Sequence, residues 1–173
     1  MILFWTDTPV ITASKISLIE AVFGIIYSPV KSVLYYAYKN YGSFKVYTNR
    51  NLRSLNNLEK INVVKKSYSI TRIIGSRSHS NTEFNEWVKS KFTNFELIKI
   101  GSSLKFCHLA EGIADIYPRF GPTSEWDIAA GHIILQEAGG KLRSIDNDEI
   151  LYNTKENILN PYFIAYGNIS QID

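Results

Sequence analysis

"SSLKFCHLAEGIADIYPRFGPTSEWDIAAGHIILQEAGG", residues 102–140, decides how this chain is read, because its periodicity changes repeatedly within one short span. "SSLKFCHLAEG" predicts a helix that begins at a hydroxyl and closes at Gly112, where a residue free to take positive φ ends the turn. "IADIYPRFG" predicts a strand, and Glu125 to Ala138 a second helix that stops at Gly139-Gly140. Strands alternating with helices predict an α/β layer.

The alternation extends upstream. "YSITRIIG" predicts a strand, "SRSHS" a polar loop, and Asn81 or Thr82 the cap of a helix with Phe84, Trp87, Val88 and Phe92 on one face. "FELIKIG" predicts another strand, and Glu149 to Tyr152 and Tyr162 to Tyr166 are strand candidates in the tail. Before Tyr47 the pattern is different, with β-branched and aromatic runs at Ile16 to Ile19, Val22 to Tyr27, Val33 to Ala37 and Phe44 to Tyr47. These predict antiparallel strands, the last two joined through Lys39 to Gly42. Glu20-Ala21 offers no turn residues between two strand-like runs, so "SLIEAVFGII" is either one long strand or a hairpin whose turn has been lost. Asn49 to Lys66 is polar and predicts a weakly structured connection between residues 1–66, an antiparallel half, and residues 67–173, an α/β half.

At 173 residues and 45% hydrophobic content the chain can bury roughly 70% of its unfolded surface, which predicts a packed core and excludes disorder as the default. A net charge of +3, with basic residues scattered apart from Lys65-Lys66, argues against a polymeric nucleic-acid platform and leaves room for a small anion. One cysteine, Cys107, and no Cys/His cluster favour a reducing compartment over disulfides or structural zinc. "MILFWTDTPV" lacks a basic leader region, and no apolar run approaches membrane-spanning length, so a soluble cytoplasmic protein is expected.

Several residues carry chemistry that local sequence leaves open. Ser102 or Ser103 is either a simple helix cap or, with Lys105, part of a phosphate site. His79 in "GSRSHS" is either an exposed loop residue or a ligand contact at a strand end. Arg119, after Pro118, is either a surface cation or a bidentate phosphate clamp. Neither a Walker A loop nor a GxSxG elbow is present. Asp127 fits a capping box with Ser124, which does not explain Gly131; a glycine inside a helix costs about 1 kcal/mol relative to Ala, so small residues there imply the close approach of a backbone or a ligand.

"SRSH", "GSSLKF", "AEGIADIYPRFGPTSEWDIAAGHIILQEAGGKL" and "GIIYSPVKSVLYYAYKNYGSF" together resemble the 3'(2'),5'-bisphosphate nucleotidases, of the CysQ type, in the inositol monophosphatase superfamily, from about Ile16 onward. The resemblance implies a truncated, layered sugar-phosphatase fold of mixed α/β class and a Mg²⁺-dependent phosphomonoesterase that takes 3'-phosphoadenosine 5'-phosphate to AMP and phosphate. It implies that Asp127 is a metal ligand and that His79, Ser102, Lys105 and Arg119 contact a small phosphorylated nucleotide. The family's Asp-Pro-x-Asp-Gly-Thr motif and helical Glu, which carry most metal ligands, are missing; "FWTDTP", residues 4–9, resembles only the Phe-Trp lead into that motif. The isolated chain is therefore expected to be impaired or inactive unless an N-terminal partner fragment supplies them. The alternative is a non-catalytic binding remnant or an interaction protein.

Overall fold

The computed structural model describes residues 11–17, 20–48, 55–64, 70–75 and 82–167. Five antiparallel strands, β1 (Ile11–Ser17), β2 (Glu20–Ser28), β3 (Val33–Tyr38), β4 (Gly42–Thr48) and β5 (Leu55–Ile61), form the first sheet in sequence order. Ser17 pairs with Glu20, so β1 and β2 are two strands and not one, and the pairing shifts register between Lys15 and Ile16. The first strand thus starts earlier than the hydrophobic run at Ile16 suggests, and the Leu18-Ile19 connection lies outside the described residues. The β3–β4 turn is where the sequence puts it: Asn40 and Gly42 take φ of 69° and 97°, and the Tyr41 N–H reaches Tyr38 O at 2.9 Å.

β5 corrects the reading of residues 49–66 as a connection. Its side chains are exposed up to Ile61, so no alternation marks it in the sequence, and its pairing with β4 is what makes it a strand.

The second sheet contains β6 (Thr71–Gly75), β7 (Phe95–Lys99), β8 (Ile116–Arg119), β9 (Lys141–Ser144) and β10 (Phe163–Tyr166), in the order β7-β6-β8-β10-β9. β6 runs parallel to β7 and β8, whereas β10 is antiparallel to both its neighbours. The helices are α1 (Thr82–Lys91), α2 (Leu104–Ala110) and α3 (Glu125–Glu137). β9 is too short to announce itself, and the expected strand at Glu149 to Tyr152 is a single bridge between Arg143 and Glu149. No helix among the described residues is long and apolar enough to cross a membrane.

The layers follow from which side chains share a core. Ile26, Val33, Tyr35 and Ala37 of the first sheet pack with α2, α3 and the Ile74, Tyr117, Phe163 and Ala165 face of the second. The opposite face of the second sheet, Ile73, Ile116 and Ile164, packs against Phe84 and Val88 of α1 and against Phe92. The order is sheet, helices, sheet, helix.

α3 lies between the sheets, with Ile128, Ile133, Ile134 and Leu135 essentially fully buried, each contributing about 2 kcal/mol of apolar burial. Its small residues set its spacing. A Cβ on Gly131 would meet the Phe106 ring at 2.4 Å, and one on Gly24 would meet the Ala130 carbonyl at 2.5 Å. The close approach implied by Gly131 is therefore to α2, while β2 crosses α3 at Ala130.

Polar contacts fix the same packing at the other end of the helices. Glu137 accepts the N–H groups of Asn40 and Gly42 at 2.9 and 2.8 Å, holding the β3–β4 turn against α3. Glu111, at the end of α2, accepts from Tyr35 at 2.6 Å and from Lys45 at 2.5 Å. Both lie where the first sheet meets the helices.

Candidate functional site

Because β6, β7 and β8 are parallel, their carboxyl ends share one edge of the second sheet, the edge where open α/β sheets hold ligands. The Ile100 N–H reaches Gly75 O at 3.3 Å there. The chain leaves β7 through Gly101, Ser102 and Ser103 into α2, and leaves β8 through residues 120–124 into α3. Ser102 takes φ of 59°, a left-handed conformation that a non-glycine residue adopts at a cost. Ser103, and not Ser102, occupies the N-cap position of α2, and its hydroxyl donates to Asp127 O at 3.3 Å, tying the starts of α2 and α3 together.

Lys105 is 8% exposed, yet no carboxylate pairs with it among the described residues. Its Nζ stands 5.1 Å from the centre of the Tyr117 ring. Burial, with Arg119 close by, pulls its pKa down to about 8. An ammonium kept from water without an anion is costly unless something negative visits it.

Arg119 is half-buried and only partly satisfied. Its Nη2 donates to Pro122 O at 3.3 Å, while Nε is buried with no partner. The guanidinium lies against Gly121, where a Cβ would be in ordinary contact, 3.4 Å from Arg119 Cζ.

Tyr117 is the residue that sequence reading passed over. It shares a strand face with Arg119 two positions on, a signal present in the period of two, and its ring is held edge-on between Phe106 and Phe163 at 5.6 Å from each. Burial pushes its hydroxyl up to about 12, with Arg119 acting to lower it and Asp127 to raise it. The aromatic floor thus sits among the charges of Arg119 and Asp127 as well as under Lys105.

Asp127 performs the helix-starting role that the sequence allowed. Its Oδ2 accepts the Ser124 N–H at 2.8 Å in a capping box. Among the described residues, no group of three or more His, Cys, Asp or Glu side chains is placed to hold a metal ion. A single carboxylate already engaged by a backbone N–H does not fit a Mg²⁺ site, which takes near-octahedral oxygen ligands. His79 lies outside the described residues, four positions past Gly75. Lys105, Arg119 and Asp127 are gathered around Tyr117, and Ser102 is at the mouth of α2.

Residues 18–170 match the inositol monophosphatase family. The chain belongs to the inositol monophosphatase family. It is 38% identical over 152 residues to a 3'(2'),5'-bisphosphate nucleotidase CysQ of Salmonella typhimurium, covering 86% of this chain and 57% of that protein. It is also 38% identical over 147 residues to the Buchnera aphidicola CysQ, covering 83% and 52%. A crystal structure of CysQ from Bacteroides thetaiotaomicron superposes with a TM-score of 0.81 at 34% identity, over 92% of this chain and 63% of that one. An inositol monophosphatase from Thermotoga maritima, at 22% identity and a TM-score of 0.65, covers 92% and 56% and shares the fold. This chain spans about half the length of the curated relatives it matches.

Proposed function

We propose that this chain carries the phosphate-binding side of a 3'(2'),5'-bisphosphate nucleotidase, with 3'-phosphoadenosine 5'-phosphate or a close analogue as its ligand. The observation that carries the reading is a pair of under-partnered cations near the carboxyl ends of parallel strands, the buried Lys105 without a carboxylate and the half-buried Arg119 with an orphaned Nε. Phosphate oxygens would satisfy both groups, Arg119 through its planar fork and Lys105 as a point charge. Ser102 and His79, from the adjoining loops, are assigned as further contacts to the same ligand, and Asp127 would serve as a metal ligand only beside carboxylates that the described residues do not supply. The site's setting is the cytoplasm, where the buried Cys107 thiol stays reduced.

Hydrolysis is assigned elsewhere. The described residues do not build a Mg²⁺ site, so turnover requires carboxylates from another segment or another chain. A surface for such a partner exists. Phe23, Ile25, Leu34, Tyr36 and Phe44 lie half-buried on the face of the first sheet turned away from α3, next to the exposed Tyr38.

Calorimetry with 3'-phosphoadenosine 5'-phosphate tests the binding, and phosphate release with and without a fragment bearing Asp-Pro-x-Asp-Gly-Thr tests the division of labour. Binding without turnover, and turnover once the fragment is added, is expected. Mg²⁺-dependent turnover by the chain alone would refute the second part, and failure to bind would refute the first.

A further inference from the structure

Lys105 enters the site from α2, and what meets its ammonium there is a ring. Among the described residues no carboxylate pairs with Lys105 and its Nζ makes no hydrogen bond, while the centre of the Tyr117 ring lies 5.1 Å away. The face of a phenol ring carries negative electrostatic character, so a cation over it within about 6 Å is attracted. The ring is itself braced. Phe106 and Phe163 lie nearly parallel, 27° apart at 6.1 Å, and each stands almost perpendicular to Tyr117, at 83° and 87° and 5.6 Å. All three rings are buried. Phe106 directly follows Lys105 in α2, and a Cβ on Gly131 would meet its ring at 2.4 Å, so Phe106 is held tightly against α3. Phe163 comes from β10, where it pairs with Arg119.

We propose that Tyr117 is a positioning residue: its ring face, fixed by Phe106 and Phe163, holds the Lys105 ammonium in the anion site without neutralising it. This rests on the phosphate-binding reading above and adds the device that keeps Lys105 available to the ligand. A carboxylate in the same place would also hold the lysine, but it would cancel the charge that attracts phosphate and repel the phosphate itself. The far end of α2 shows the contrast, because there Glu111 pairs with Lys45 and neutralises it. Tyr117 and Arg119 share a strand face, so the residue that places one cation stands beside the other.

Calorimetry with adenosine 3',5'-bisphosphate tests this on the wild-type chain, on Tyr117→Phe, and on chains in which Tyr117 is replaced by phenylalanines bearing one, two or three ring fluorines. Fluorine withdraws electrons from the ring face and leaves the shape of the ring almost unchanged, so core packing stays while attraction for a cation fades. Tyr117→Phe should bind within about twofold of the wild type, and three fluorines should cost about tenfold, with the other rings between. The same series built on Lys105→Met, titrated into the millimolar range to reach its lower affinity, should be flat. A flat series in the wild-type background, or an equal decline in both backgrounds among chains of native circular dichroism, would overturn the positioning role and leave the phosphate site standing. If Tyr117→Phe already loses as much as the trifluorinated ring, the hydroxyl and not the ring face is responsible, and the proposal is wrong. A wild-type chain that does not bind the ligand overturns both readings.

Discussion

Replacing Lys105 with methionine separates what the buried cation costs from what it does. Holding a lysine at about 8 in place of its ordinary 10.5 corresponds to roughly 3 kcal/mol against the charged, folded state. Lys105→Met removes that penalty, keeps most of the side-chain volume, and gives up a cation–π contact with Tyr117 worth about 1–2 kcal/mol. The ligand-free variant should therefore be more stable by about 1–2 kcal/mol, a rise in Tm of about 3–6 °C for a chain of this size. Phosphate or nucleotide should raise the Tm of the wild type and leave that of the variant nearly unchanged. The pH dependence has two opposite signs. Between about pH 8 and pH 10.5 the folded chain has released the Lys105 proton and the unfolded chain still holds it, so this group's contribution to stability rises with pH. Anion affinity falls over the same range, because the charge that attracts the anion is lost. Thermal melts and phosphate titrations at pH 7 and pH 9.5 check both. A destabilised Lys105→Met that still binds phosphate would refute the reasoning.

Other substitutions probe the packing and the cap. Gly131→Ala should destabilise by about 2 kcal/mol in denaturant melts despite alanine's better helix propensity, because the new methyl would lie 2.4 Å from the Phe106 ring. Glu111→Ala should cost about 3 kcal/mol, since it leaves the Lys45 ammonium, 14% exposed, without its carboxylate and strips the Tyr35 hydroxyl of its acceptor. Asp127→Asn should cost about 0.5–1 kcal/mol through the weakened capping box. The same variant should show Mg²⁺ titrations indistinguishable from wild type, with no tight site in either, and tight binding abolished by Asp127→Asn would contradict the single-carboxylate geometry.

Helices with strong local signals were legible in the sequence. α1 has its apolar residues at helical spacing, α2 is closed by Gly112 at φ of 69°, and α3 opens on a capping box that the structure contains. The elements that sequence reading missed have weak or absent local patterns. β5 is exposed along almost its whole length and β9 is only a short run after a glycine pair, while the choice the sequence left open between one long strand and a hairpin is settled by the β1–β2 pairing. Pairing with a neighbouring strand decides each of these, and a partner far along the chain leaves no mark on local periodicity.

The candidate site divides the same way. Local pattern left Ser102, Lys105, Arg119 and Asp127 open between structural and ligand roles, and it was the resemblance of their motifs to a known family that singled them out together. That Lys105 is buried without a carboxylate and that Tyr117 lies beneath it came from the tertiary structure alone. The sequence by itself determined which helices form and where several strands run, because capping, glycine and apolar spacing act over a few residues. Only the folded chain decided the register that brings β8 beside β6 and β10, and with it that Lys105 is buried close to Arg119, because desolvation depends on neighbours brought from distant parts of the chain.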